Sequence, residues 1–172
     1  MEKRTVTLKG KPLTLAGEAV QVGKPAPNAR LVRQDLSTVE LATFRGQPML
    51  LSVVPSLDTG VCATQTKRFD QEAAKLADKV KILTISMDLP FAQKRFCSAE
   101  QVDKVEVLSD HREASFGLAY GTLVEELRLL CRAVFVVDRH GVVRYAEYVP
   151  EIAEHPNYDA ALEAARAVAA KS

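Results

Sequence analysis

Cys62 closes the string Pro55-Ser56-Leu57-Asp58-Thr59-Gly60-Val61-Cys62, which lies between an apolar run at 49–54 and a segment of helical spacing that begins at 65. A cysteine in the first turn of a helix faces backbone N–H groups with no intrahelical partner and the positive end of the macrodipole. Both favour a thiolate. A free thiol titrates near about 8.5, and a helix N-terminus with a nearby cation lowers that value, so the chemistry on offer is nucleophilic and redox. Thr59 lies three residues earlier, within one turn of the sulfur, and Pro55 fixes where the preceding strand ends. The rival reading makes Cys62 a small buried apolar residue. Position alone leaves both open.

Cys97 sits in Phe91-Ala92-Gln93-Lys94-Arg95-Phe96-Cys97-Ser98, 35 positions after Cys62. On its own residues it reads as a buried helix thiol sharing an apolar patch with Phe96. Cys131, beside Arg132, reads as a small residue packed under a strand, and Arg132 as a strand-end charge. Three cysteines without a CxxC pair, in a chain long enough to fold without staples, point to redox or catalytic chemistry rather than architecture. His111, His140 and His155 are scattered, so no tetrahedral zinc site is expected. Asp58 reads as a solvated loop charge and His111 as a turn residue.

The elements that must position these groups follow from periodicity. Alternating segments at 5–9 and 13–15 flank Gly10 and predict a hairpin. Residues 20–28 hold Gly23, Pro25 and Pro27 and form an extended connector. After a turn at 45–48, residues 49–54 read as a strand buried on both faces. A helix is expected over 65–79, with Phe69, Ala73, Leu76 and Val80 on one face. Then follow a strand at 80–87, a helix at 91–102, a strand at 105–109 and a helix at 113–118. A loop around Gly121 leads to strands 133–137 and 142–149, paired antiparallel across a turn at 138–141. A final helix over 160–170 has Asn157 or Asp159 as its N-cap. This order predicts an α/β sandwich with a mixed central sheet and no repeats.

Composition narrows the function classes. With 172 residues, 23 Lys plus Arg against 22 Asp plus Glu and a net charge of +1, there is no global charge to favour nucleic acid or an acidic membrane surface. Apolar residues at 47% and charged residues at 26% fit one ordinary globular domain spanning 1–172. No apolar run is long enough to span a bilayer. Residues 1–12 lack the apolar core of a secretory signal, so a cytoplasmic protein is expected.

The motif P-x-x-x-T-x-x-C at a strand-to-helix junction resembles the active-site signature of the peroxiredoxins, and the longer string resembles their thiol peroxidase subfamily. The likeness continues through the early hairpin, Gly-Lys-Pro-Ala-Pro at 23–27, Arg-Ala-Val-Phe-Val-Val-Asp at 132–138, Tyr-Val-Pro-Glu-Ile at 148–152 and Tyr-Asp-Ala-Ala-Leu at 158–162. It implies a thioredoxin-like core with an added N-terminal β-hairpin. It also implies that Cys62 is the peroxidatic nucleophile, that Thr59 orients sulfur and peroxide, and that Pro55 shields the thiolate. Arg132 matches the arginine that stabilises the thiolate and hydrogen-bonds the peroxide, a task suited to a planar fork of donors. Cys97 matches the resolving cysteine. Gly60 stands where some members have Pro, which loosens the loop but removes no reacting group.

What the resemblance implies for activity is an atypical two-cysteine peroxidase for hydrogen peroxide and organic hydroperoxides. Its disulfide would join Cys62 to Cys97 within one chain and be recycled by a thioredoxin-like protein reductant. No metal, haem or flavin is required, and a homodimer is expected. Two other readings stand beside it. A general disulfide oxidoreductase is disfavoured by the missing CxxC. A redox-sensing protein without efficient turnover has the same residues, since fold does not fix function.

Overall fold

The computed structural model describes residues 3–76 and 79–171. Met49–Val53 forms β5, buried at all five positions. It is an interior strand of a sheet whose other members are β3 (Arg30–Val32), β4 (Thr38–Glu40), β6 (Lys81–Ser86), β7 (Glu106–Ser109), β10 (Ala133–Val137) and β11 (Val143–Tyr148). Among the described residues the strand order is β11-β10-β5-β6-β7-β3-β4. The pairs β5/β6 and β6/β7 are parallel, while β10/β5, β10/β11, β3/β7 and β3/β4 are antiparallel. The sheet is therefore mixed, as the sequence predicts.

The period-2 alternation of the strands separates two apolar layers. Leu50, Ile82, Val134 and Val136 face one side, where they pack with Phe69 and Leu76 of α1 (Gly60–Leu76) and with Ala161, Leu162 and Ala165 of α4 (Tyr158–Ala170). Leu51, Val53, Leu83, Ile85, Phe135 and Val137 face the other side. There they meet Phe116 and Tyr120 of α3 (Ser115–Tyr120) and a small second sheet. Each such side chain, fully buried, contributes about 1.5–3 kcal/mol of apolar transfer. The remaining helix, α2 (Pro90–Glu100), packs on β7. No described helix is long and apolar enough to cross a membrane.

The second sheet contains the expected hairpin, β1 (Thr5–Leu8) and β2 (Lys11–Ala16), extended by β8 (Leu123–Val124) and β9 (Leu129–Leu130). Lys9 and Gly10 both have positive φ, 51° and 81°, the geometry of a tight two-residue turn that twists with its strands. The hairpin is tied to the far end of the chain. Thr7 N donates to Pro150 O and Ile152 N donates to Thr7 O, both at 2.8 Å.

Three differences from the sequence reading have local causes. The helix expected to begin at 65 starts at Gly60, and Cys62 is its third residue. Gly60, Val61 and Thr64 have weak intrinsic propensity, and capping by Thr59 rather than composition carries the helix back to this point. Its described part runs to Leu76, and the expected continuation at 77 and 78 lies outside the described residues. Strands β3, β4, β8 and β9, at two or three residues each, are too short to show alternation and were not expected. The N-cap of α4 is Asn157, whose Oδ1 accepts from Ala160 N at 3.0 Å, so the helix opens at Tyr158.

Candidate active site

Beyond Val53 the chain leaves the sheet through Val54, whose N–H donates to Ile85 O, and through the buried Pro55. The loop that follows turns back onto itself. The Thr59 hydroxyl donates to Ser56 O at 3.1 Å and accepts from Cys62 N at 3.4 Å, capping the first turn of α1. The expected proximity of Thr59 to the cysteine is thus present at the backbone of Cys62. Thr59 and Gly60 are exposed, whereas Cys62 has no exposed surface. Asp58 is a solvated loop residue as read, and His111 lies in the turn after β7.

Arg132 reaches this turn from the opposite strand. The antiparallel register of β10 on β5 pairs Ala133 with Val53, which sets Arg132 beside the point where the chain departs toward Cys62. Its side chain is 2% exposed and every arm of the guanidinium is occupied. Nε donates to Ile152 O at 2.9 Å, Nη1 to Gln65 Oε1 at 2.9 Å, and Nη2 to Cys62 Sγ at 3.3 Å. A buried cation directed at a sulfur stabilises a thiolate there, because Coulomb attraction is strong where water is excluded. A lysine has no fixed fork with which to span three acceptors.

Gln65 was not singled out in the sequence. It lies one helical turn after Cys62, fully buried, and donates from Nε2 to Ser52 Oγ at 2.8 Å while its Oε1 holds Arg132. The signal available was an uncharged amide at i+3 from the cysteine, on the helix face that carries Cys62 and Phe69. Tyr158, which the sequence marks only as part of the resembling string, packs edge-on against Phe69 with centroids 5.6 Å apart and lies 5.1 Å below the Arg68 guanidinium. Its hydroxyl is 2.8 Å from His155 Nδ1. Burial raises the Tyr158 phenol, Arg132 and Arg68 oppose that, and Cys62 adds to it.

The three cysteines are unlinked and differ in surroundings. Cys97 is half-buried in the last turn of α2, and Gln34 Nε2 donates to its sulfur at 3.6 Å. Burial raises its thiol above the usual range, Gln34 works against this, and the Asp70 carboxylate adds to it. Cys131 is fully buried, and burial pushes its thiol up to about 12. It is a packing residue in geometry as in sequence. Cys97 packs against the same apolar layer that contains Cys62, on a different helix.

Comparison with known proteins identifies the family. The redoxin family pattern matches residues 21–162. The chain is 54% identical over 163 residues to the thiol peroxidase of Bacillus subtilis, covering 95% of this chain and 97% of that one. It is 53% identical over 161 residues to the thiol peroxidase of Listeria innocua, with 94% and 97% covered. The chain belongs to the thiol peroxidases of the redoxin family. A peroxiredoxin-like protein from Aquifex aeolicus superposes with a TM-score of 0.90 at 42% identity, over 96% of this chain and 97% of that structure. The thioredoxin-like sandwich with a mixed sheet is therefore the fold of this thiol peroxidase as well.

Proposed function

We propose that Cys62 reduces hydrogen peroxide and organic hydroperoxides, and that the 3.3 Å hydrogen bond from Arg132 Nη2 to Cys62 Sγ is the observation that carries this assignment. The Cys62 thiolate attacks the terminal oxygen of the peroxide, the S–O bond forms as the O–O bond breaks, and the departing alkoxide or hydroxide takes a proton to leave as alcohol or water. The sulfur is oxidised to a sulfenic acid and the peroxide is reduced by two electrons. Arg132 stabilises the thiolate and the charge that develops on oxygen, while Gln65 and the Ile152 carbonyl fix its orientation. Thr59 shapes the first turn and presents its hydroxyl at the exposed rim, and buried Pro55 keeps bulk water from the sulfur.

Cys97 is the resolving residue. Its thiol condenses with the sulfenic acid, water leaves, and a Cys62–Cys97 disulfide forms within one chain. A thioredoxin-like dithiol protein then reduces that bond and becomes a disulfide itself. The half-exposed Cys97 borders a surface hollow of about 490 Å³ shared with Gln34, Val102 and Lys104, which supports access for such a reductant. We take 1–172 as one domain, acting in the cytoplasm as a homodimer. Exposed Leu89 and Phe91, at 52% and 67%, supply apolar surface near the site for a second copy. Sedimentation showing only monomer at every concentration rejects the dimer.

The deciding experiment is mass spectrometry after one equivalent of peroxide. A linked Cys62–Cys97 peptide is expected from the parent protein, and Cys62→Ser is expected to lose peroxide consumption altogether. Intermolecular disulfides alone, or substantial turnover in Cys62→Ser, overturn the assignment.

A further inference from the structure

Asp88 follows β6 and precedes α2, and its carboxylate faces the Cys62 loop. Oδ1 accepts from Ser56 Oγ at 2.8 Å, and Oδ2 accepts from Leu57 N at 2.8 Å and from Ser86 Oγ at 2.7 Å. On one side, therefore, it grips the loop whose Ser56 carbonyl accepts from the Thr59 hydroxyl, which in turn caps the turn holding Cys62. On the other side it holds Ser86, whose hydroxyl accepts from Gln93 Nε2 at 3.1 Å. Gln93 is a fully buried residue of α2, one turn before Cys97 on the same helical face. A continuous run of hydrogen bonds thus joins the turn before Cys62 to the turn before Cys97, with a single carboxylate at its centre.

Resting on the reading of Cys97 as the resolving thiol, we infer that Asp88 is a positioning residue that latches both cysteine-bearing segments in the peroxide-reactive arrangement. The carboxylate accepts three bonds from two segments at once, and hydrogen bonds to a charged acceptor are the strong ones. While they persist, the loop keeps Thr59, Cys62 and Arg132 in register. The two thiols are unlinked, lie on separate helices and are held by different partners, Cys62 Sγ by Arg132 and Cys97 Sγ by Gln34, so bringing the sulfurs into bonding distance calls for rearrangement of the segments that hold them. One latch across the two makes that release concerted. Its loss has opposite consequences for the two chemical steps: the peroxide step loses geometry, and the closing step loses a restraint.

The test is rapid-quench mass spectrometry with hydrogen peroxide on the full-length parent, Asp88→Ala, Asp88→Asn and Ser56→Ala. Peroxide concentration is varied so that the bimolecular oxidation of Cys62 separates from unimolecular disulfide closure. In Asp88→Ala, oxidation is expected to slow by about tenfold, as for one lost charged hydrogen bond, while closure speeds up. Asp88→Asn, which keeps an acceptor for Leu57 N, should recover part of both effects. Ser56→Ala removes one of the two loop-side bonds to Asp88, together with the bond its hydroxyl accepts from Asp58 N, and should show the same signs at smaller size, which keeps the test informative if Asp88→Ala does not fold. Simple destabilisation does not move the two steps in opposite directions. Both rates unchanged, or both lowered together, overturn the latch while leaving the disulfide reading intact. Absence of a Cys62–Cys97 disulfide in the parent overturns both.

Discussion

Arg132 Nη2 donates to Cys62 Sγ across 70 positions of sequence, and it is the pairing of Ala133 with Val53 in the central sheet that brings the two together. The sulfur is carried by a helix start and the guanidinium by a strand start. Each is fixed by the same pair of strands.

Replacing Arg132 tests how much that contact carries. A hydrogen bond to a charged group is worth about 1.5–3 kcal/mol, or roughly ten- to a hundredfold in rate. Arg132→Ala should lower the second-order rate with peroxide by that order and slow alkylation of Cys62 at neutral pH. Arg132→Lys should recover only part, because one ammonium cannot serve Ile152 O, Gln65 Oε1 and the sulfur together. Stopped-flow peroxide kinetics and an alkylation-rate profile check both. An unchanged profile in Arg132→Ala shows that the cation does not act on this thiol.

Cys131 should be dispensable. It is fully buried, and burial holds its thiol near about 12, far from a thiolate at neutral pH. Cys131→Ala leaves a small void, and about 1 kcal/mol of stability should be lost, with turnover unchanged. If this variant instead oxidises Cys62 normally and then fails to close a disulfide, Cys131 is the resolving thiol.

The sequence was most legible where a pattern is either local or long. The hairpin at Lys9 and Gly10, the buried strand β5 and the pairing of β10 with β11 all announce themselves through turn chemistry or apolar runs. Cys62, Thr59 and Pro55 were readable because they share one short motif. Arg132 was not readable from its own surroundings, since strand-end charges usually face water and only the family resemblance marked it. Gln65 and Asp88 escaped for a related reason. Their partners, Arg132 and Ser56, lie 67 and 32 residues away, and nothing in local spacing records a contact made through the sheet. The four shortest strands were silent because two or three residues cannot display a period.

Glu151 connects the hairpin to the Arg132 anchor and gives that connection a pH dependence. Its carboxylate accepts from Ala153 N at 2.8 Å, Gly10 N at 2.9 Å and the Thr7 hydroxyl at 3.1 Å. These bonds, that of Ala153 first, hold its carboxyl down to about 2 from an ordinary 4.5. A lowered carboxyl stabilises the folded state above its unfolded value and ceases to do so as pH falls through its folded value. Glu151→Gln should therefore melt below the parent at neutral pH, and the gap should close between pH 4.5 and about 2. The neighbouring Ile152 carbonyl holds Arg132, so the variant should also react more slowly with peroxide. A melting gap that stays constant down to pH 2 shows that the carboxylate is not the tie.

The closing step should have its own pH dependence and its own motion. Burial raises the Cys97 thiol, against the pull of Gln34, so at neutral pH it is held mainly protonated, and its attack on the Cys62 sulfenic acid should accelerate as pH rises. Gln34→Ala removes the donor to Sγ and should shift that acceleration to still higher pH. The attack is expected to move the first turn of α1 and the last turn of α2, since the two thiols are unlinked and held by different partners, Arg132 and Gln34. Hydrogen exchange should accordingly be faster in the oxidised protein than in the reduced one over 58–66 and 92–102. The central strands β5, β6 and β10, buried on both faces, should change little. Cys97→Ser should consume one equivalent of peroxide and then stall as a sulfenic acid open to further oxidation. If exchange over both windows is the same in the two redox states, the disulfide forms without unwinding of either helix.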